Sequence, residues 1–220
     1  MSGKLIMNAL VMYDHQSGTL RSQFLSQGVK GELAGRRLEI VPLVQTTFGQ
    51  WVSEHPDTAI LDKGRSSSSD RYDVYYVNND AGVIGESVND DRLARKDKVL
   101  GIGFDGGPKA FPLSELDATP VVNDRVAGED VVVFFQPDTD TALVYNRVLD
   151  GSRLEFERAV DDDGTVLLRG TKTGSLFLPF TGRGIEGEYA GEQLERVHSV
   201  VAFRFAWSDF YPETELYKAA

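Results

Sequence analysis

Several groups of residues have types and spacings that suggest chemistry. The run Gly101-Ile102-Gly103-Phe104-Asp105-Gly106 spells out the dinucleotide fingerprint. That fingerprint works only where a helix starts at the glycines, so that its N-terminus can hold a pyrophosphate. Here Gly107-Pro108 and a strand-like Lys109–Leu113 follow, so no dinucleotide is expected, and nothing else in the chain calls for a cofactor. Asp161-Asp162-Asp163-Gly164 gathers carboxylates, but an EF-hand loop spreads its ligands over about 12 positions and ends in glutamate. A hairpin turn accounts for this run with less. Pro137-Asp138-Thr139-Asp140 places two aspartates on one loop, which reads as a solvated turn rather than a metal site.

The candidate binding residues are Arg71, Tyr72, Asn123 and Asp124. Arg71 and Tyr72 stand at the edge of the polar tract Gly64-Arg65-Ser66-Ser67-Ser68-Ser69-Asp70, while Asn123-Asp124-Arg125 interrupts a run of strand character. Polar groups in such places form turns or line binding sites, and both readings stand. Asp14 and Asp124 are the carboxylates a hydrolase-like enzyme would draw on, one of them with a raised pKa in a cleft.

Composition narrows the classes. The chain has 220 residues, is 41% hydrophobic and 10% aromatic, and has no cysteine. That is enough apolar material for a core and leaves no disulfide, thiolate metal site or cysteine nucleophile. A formal charge of −11 argues against a nucleic-acid partner, whose phosphates need basic contacts. No apolar run approaches the roughly 18 residues of a membrane-spanning helix. Residues 1–20 lack the basic start, apolar middle and small-residue cleavage site of a signal peptide.

These residues must be held by a scaffold, and the sequence shows how it is organised. Residues 17–60 align with 173–216 without a gap, self-similarity of the kind that marks repeated units. The aligned identities include Gly28/Gly184, Gly31/Gly187, Gly35/Gly191, Val41/Val197, Trp51/Trp207 and Pro56/Pro212. Two copies are too few for a solenoid; two halves about a pseudo-twofold axis fit better. The glycines read as turns between short strands. Phe48, Trp51, Val52 and His55 fall at helical spacing, with Thr46 or Thr47 as cap and Pro56 as stop, so each copy is expected to end in a short helix carrying a buried tryptophan. Of the histidines, His15, His55 and His198, His55 aligns with Tyr211 and His198 with Pro42. A catalytic role belonging to the duplicated scaffold would not differ in this way, and no nucleophile-elbow pattern supports a triad.

Elsewhere the spacing predicts strands. Asp73–Val77 reads as a short strand within an irregular connector. Val99–Phe104, Lys109–Leu113, Val121-Val122 and Asp130–Phe135 are short apolar or β-branched runs, with Ala127-Gly128 as a turn before the last. Ser114–Asp117 starts a helical turn. Asp150-Gly151 and Asp161–Gly164 mark hairpins. The expected class is mainly β with a few short helices, in two pseudo-symmetric halves from an internal duplication. The chain is read as one domain over 1–220: half one 1–61, a connector 62–98, and half two 99–217.

The stretches SGKLIMNALVMYDHQSGTLRSQ, Gly31–Gly35, WVSEHPDTAIL, KAFPLSEL with VVND, and WSDFYPETELY together resemble a bacterial and archaeal family known as domain of unknown function 3179, over nearly the whole chain. The resemblance implies architecture and no activity. It also implies a segment like 99–157 ahead of the first copy, so the chain looks like about one and a half units. Family members often carry a Cys-Pro segment where this chain has Gln136-Pro137-Asp138-Thr139-Asp140-Thr141-Ala142. An extracytoplasmic setting is implied by the resemblance alone. The function expected is a non-catalytic binding or interaction module, with a polar site between the repeat halves and an unknown small molecule or protein as partner. The alternative is a carboxylate-dependent, hydrolase-like enzyme, so enzymatic activity is left open.

Overall fold

Tight turns in the left-handed region set the register of the hairpins. The computed structural model describes residues 4–62, 64, 72–103 and 106–219. Met7 and Asn8, with φ of 48° and 63°, join β1 (Lys4–Ile6) to β2 (Ala9–Tyr13). Antiparallel pairing continues through β3 (Leu20–Ser22) and β4 (Gln27–Lys30), giving a four-stranded sheet in chain order. Two short helices come next, α1 (Phe48–Glu54) and α2 (Asp73–Val77).

The central strands are β5 (Lys98–Ile102), β6 (Lys109–Pro112), β7 (Val121–Val126), β8 (Glu129–Gln136) and β9 (Thr141–Asn146), with α3 (Leu113–Ala118) between β6 and β7. Ala127-Gly128 turns β7 into β8 with both φ values positive. Asp150-Gly151 does the same between β10 (Val148–Leu149) and β11 (Ser152–Arg153). A second four-stranded meander follows in chain order: β12 (Phe156–Val160), β13 (Val166–Gly170), β14 (Leu176–Phe177) and β15 (Gly184–Glu186). The chain closes with β16 (Val200–Phe203), α4 (Arg204–Phe210) and β17 (Glu215–Leu216), and a further sheet has the order β16-β5-β6-β17. The class is mainly β with short helices, as the turn and strand signals indicate.

The chain divides into two compact units, each drawn from three stretches. Unit one takes Met1–Val41, Asp57–Asp97 and Ala202–Glu213; unit two takes Pro42–Pro56, Lys98–Val201 and Thr214–Ala220. Unit two owes its order to β8 and β9, which are buried on both faces. Val131, Val133 and Phe135 point into one core with Leu100, Phe111 and Leu116, while the intervening Val132 and Phe134 point into a second with Leu168, Phe177 and Tyr189. Adjacent side chains on a strand face opposite ways, so a strand covered on both sides is an unbroken apolar run. In unit one Val11, Ala81, Phe205 and Trp207 are buried together with Thr19 and Ser22.

The two meanders repeat each other in detail. Gly28 N donates to Arg36 O and Gly35 N to Gly28 O; at the aligned positions Gly184 N donates to Glu192 O and Gly191 N to Gly184 O. The Leu33 amide donates to the Thr19 hydroxyl and the Tyr189 amide to that of Ser175. Both sheets shift register at the aligned residues Leu20/Arg21 and Leu176/Phe177. The helices match as well: their C-caps His55 and Tyr211 adopt φ/ψ of −131°/72° and −132°/69°.

Two expectations are corrected. Asp73–Val77 is the helix α2, not a strand. A short apolar run carries no decisive period, and here Asp73 sits in the first turn while the Lys96 ammonium lies 3.7 Å from the Tyr75 ring centroid. The tryptophans also differ: Trp207 is 1% exposed but Trp51 37%. Within unit one, α4 is covered by the backbone of residues 87–97, whereas α1 in unit two buries none of its residues.

A close backbone approach makes one glycine irreplaceable. A Cβ at Gly184 would stand 2.0 Å from Tyr189 O. Gly184→Ala is therefore expected to destabilise by about 2 kcal/mol or more. Gly49→Ala, on the open face of α1 with nothing within 4 Å, should stabilise by about 0.5–1 kcal/mol. Urea unfolding of the two variants against the parent checks both signs.

Candidate functional site

Asn123 and Asp124 sit side by side on β7, but they do different things. The Asn123 carboxamide pairs with the main chain of β12, donating to Phe156 O at 2.7 Å and accepting from Phe156 N at 2.8 Å. It behaves as an extra residue of a β-ladder. Asp124 faces Lys109 on β6, whose ammonium lies 2.8 Å from Asp124 and 2.7 Å from Glu215 on β17, with the lysine side chain 11% exposed. Burial works against the charged lysine, yet the two carboxylate hydrogen bonds outweigh it and raise its pKa. The three side chains form an anionic cluster on unit two, with Glu215 the most exposed of them.

Tyr72 lies in unit one as the N-terminal flanking residue of α2 and is 63% exposed. Arg71 lies outside the described residues, as does most of the serine-rich tract beside it. The structure thus turns the neighbours Asn123 and Asp124 to different partners and places Tyr72 in the other unit. Asp14, the other carboxylate considered for catalysis, accepts from the Ser17 hydroxyl at 2.7 Å, the Gln16 amide at 3.0 Å and Arg21 at 3.2 Å. The serine bond leads in lowering its pKa to about 2. A carboxylate held ionised in this way is unsuited to deliver a proton near neutrality.

A polar cluster that the sequence did not reveal surrounds α4 in unit one. Glu86 bridges Arg95 at 2.6 Å and Arg204 at 3.1 Å. Asp90 takes a fork of 2.8 Å bonds from Arg92 and a third from the Ser208 hydroxyl, also 2.8 Å. Asp209 Oδ1 accepts from the amides of Ser87 and Val88 at 2.7 and 2.8 Å. The Arg95 bond leads in holding the Glu86 pKa below its usual value, and the Arg92 bond leads in holding that of Asp90 well below. Ser208 has an acid partner but is 1% exposed, so no substrate reaches its hydroxyl. The one sequence signal was that Arg204 and Asp209 fall on helix α4, whose other residues are apolar or small.

The remaining candidates resolve locally. The glycines at 101–106 lead from β5 into β6, antiparallel to it, rather than into a helix. Asp161 is a turn former, its Oδ1 accepting from the amides of Asp163 and Thr165. No group of three or more metal-ligating side chains occurs among the described residues. Tyr145 Oη, buried in unit two, is within 3.0 Å of Pro179 O, Phe180 O and the Arg196 guanidinium, and burial raises its pKa. An open pocket of about 290 Å³ in unit two is lined by Leu113, Ser114, Asp117, Phe135, Pro137 and Asp140. It includes part of the 136–142 segment where the resemblance implied a cysteine in other members.

The fold and these sites define a mainly β protein whose buried charges serve its own loops. The chain belongs to the family described as protein of unknown function (DUF3179), whose model matches residues 1–214. No curated protein and no solved structure matches it. No helix among the described residues is long and apolar enough to cross a membrane.

Removing the Asp209 carboxylate strands two amides inside unit one. Asp209→Ala is expected to cost about 2–4 kcal/mol, against less than about 0.5 kcal/mol for the exposed Asp162→Ala, both read by urea unfolding. Acid should act on the same region. Asp14, Glu86 and Asp90 have folded pKa values lowered from the unfolded ones, so the stability they supply is present above the unfolded values and is lost as pH falls through the folded ones. Unfolding free energy should hold down to about pH 5 and fall from about pH 4.5 to 2. Asp90→Asn should be less stable at neutral pH and lose less on acidification.

Proposed function

We propose that the chain is a non-catalytic binding or interaction module, built by duplication of a meander-plus-helix unit. The observation that carries this reading is that the carboxylates with displaced pKa values, Asp14, Glu86 and Asp90, are all displaced downward by partners within the fold. An acid–base site would want the opposite for at least one of them. The matched hydrogen bonds, register shifts and helix caps of the two meanders support the duplication. What the copies share is scaffold: the glycine turns recur, whereas Asp209 aligns with Ser53 and Arg204 with Phe48.

Arg71 and Tyr72 are kept as a separate pair of candidate binding residues, and the polar binding surface of unit two is assigned to Asp124 with Lys109 and Glu215. Asn123 acts there by fixing β7 to β12. A net charge of −11 supports a small-molecule or protein partner rather than nucleic acid.

The test uses the purified chain with p-nitrophenyl esters, phosphates and glycosides between pH 5 and pH 9. Release of nitrophenol is expected to equal that of buffer for every substrate. Turnover that disappears in Asp124→Asn or Asp14→Asn, with unchanged unfolding midpoint, would replace this reading with a carboxylate-dependent hydrolase.

A further inference from the structure

The open pocket of unit two shares no lining residue with the cluster around Asp124. One wall is α3, which contributes Leu113, Ser114 and Asp117; residues three and four apart on a helix lie on one face. The other wall is the end of β8 and the turn after it, which contribute Phe135, Pro137 and Asp140. Leu113 and Phe135 are 7% and 3% exposed and belong to the core of β5–β9, so the floor is apolar and close-packed. At about 290 Å³ the pocket stands at the lower end of ligand cavities, with room for a small molecule.

The turn wall is fixed by the fold itself. The Thr141 hydroxyl, on a buried residue, lies 2.7 Å from that of Thr139 and 2.8 Å from that of Thr46. Asp140 adopts a φ of 51° and donates its amide to Pro137 O at 3.2 Å, and its carboxylate is paired with the Lys98 ammonium. A wall set in advance lowers the cost of binding. The two carboxylates of the pocket therefore differ. Asp140 is compensated by Lys98, whereas Asp117 has no hydrogen bond or ion pair among the described residues. One uncompensated negative charge thus stands over an apolar floor, with the Ser114 hydroxyl a helical turn before it.

We infer that this pocket binds a small organic primary amine. Its ammonium donates to the Asp117 carboxylate, with the Ser114 hydroxyl as a second acceptor, and its alkyl or aryl body lies against Leu113, Phe135 and Pro137. An anion is disfavoured, because Lys98 is engaged by Asp140. A neutral ligand would desolvate Asp117 without giving it a partner. The net charge of −11 adds attraction for a cation at long range. The site is separate from the Asp124 surface and does not depend on the protein being non-catalytic.

The test titrates the purified full chain with phenethylamine, and with 2-phenylethanol and phenylacetate as its neutral and anionic counterparts, followed by amide chemical shifts and calorimetry. The amine is expected to bind in the millimolar range usual for so small a ligand, shifting residues 113–117 and 135–140 first. Both counterparts should bind at least about tenfold more weakly, the factor that a charge-assisted hydrogen bond supplies. Added salt should weaken the amine and leave the alcohol unchanged. Asp117→Asn, at an exposed position and with the unfolding midpoint of the parent, should bring the amine down to the level of the alcohol. Asp138→Asn, which removes a charge from the same turn without lining the pocket, should leave the amine unaffected. Equal affinity for amine and alcohol overturns the inference, and so do saturable shifts centred away from the lining residues or no saturable shifts at all. Equal losses in Asp117→Asn and Asp138→Asn also overturn it, by making the attraction a diffuse field rather than a site.

Discussion

The constraint on which much of this structure depends is that every buried main-chain donor and acceptor needs a partner. Strand ladders meet that need where the sequence alternates or runs apolar. Where it does neither, short polar side chains stand in for a missing strand. Asn8 accepts from the amides of Val83 and Ile84 and donates to Gly85 O. Asp209 accepts from Ser87 and Val88, Asn123 pairs with both polar groups of Phe156, and Asp161 closes its own turn. All four are main-chain surrogates in the fold, and two of them, Asn123 and Asp161, look like site chemistry in the sequence.

The ion pairs around α4 extend the same logic to charge. Arg204 is a guanidinium on a nearly buried helix, and it is tolerable there because Glu86, itself shared with Arg95, lies against it. A buried pair of this kind adds little net stability over apolar packing but makes removal of either partner costly. The cluster therefore fixes where residues 86–97 lie over α4 rather than strengthening unit one as a whole. It also ties that segment to pH through carboxylates that must stay ionised.

Much of the fold was legible because its signals are local. Asp150-Gly151 and Ala127-Gly128 declare two-residue turns, Thr47 caps α1 by accepting from Gln50 N, and the β-branched run of β8 announces a strand. α2 was not legible, because five residues of mixed aromatic and branched type contain no complete period. Of the candidate residues, Asp124 drew attention because it interrupts a strand. Lys109 and Glu215, which give it meaning, come from strands far apart in sequence and share no pattern with it. The α4 cluster was hidden for the same reason: Glu86 and Arg204 meet only once the chain has folded.

The tryptophans separate what two aligned stretches share from what their surroundings add. Trp207 packs with Phe24 and Tyr211 at ring distances of 6.2 and 4.3 Å, and Trp51 with Phe180 and His55 at 6.5 and 4.1 Å. Phe24 aligns with Phe180 and Tyr211 with His55, so each indole meets equivalent partners, the phenylalanine from the other aligned stretch and the second ring from its own. The contacts repeat and the burial does not. What differs is the outer layer: residues 86–97 cover α4, whereas no residue of α1 is buried. The aligned tryptophans thus keep equivalent ring contacts, while the exposure of each helix follows from whether a covering segment such as residues 86–97 lies over it.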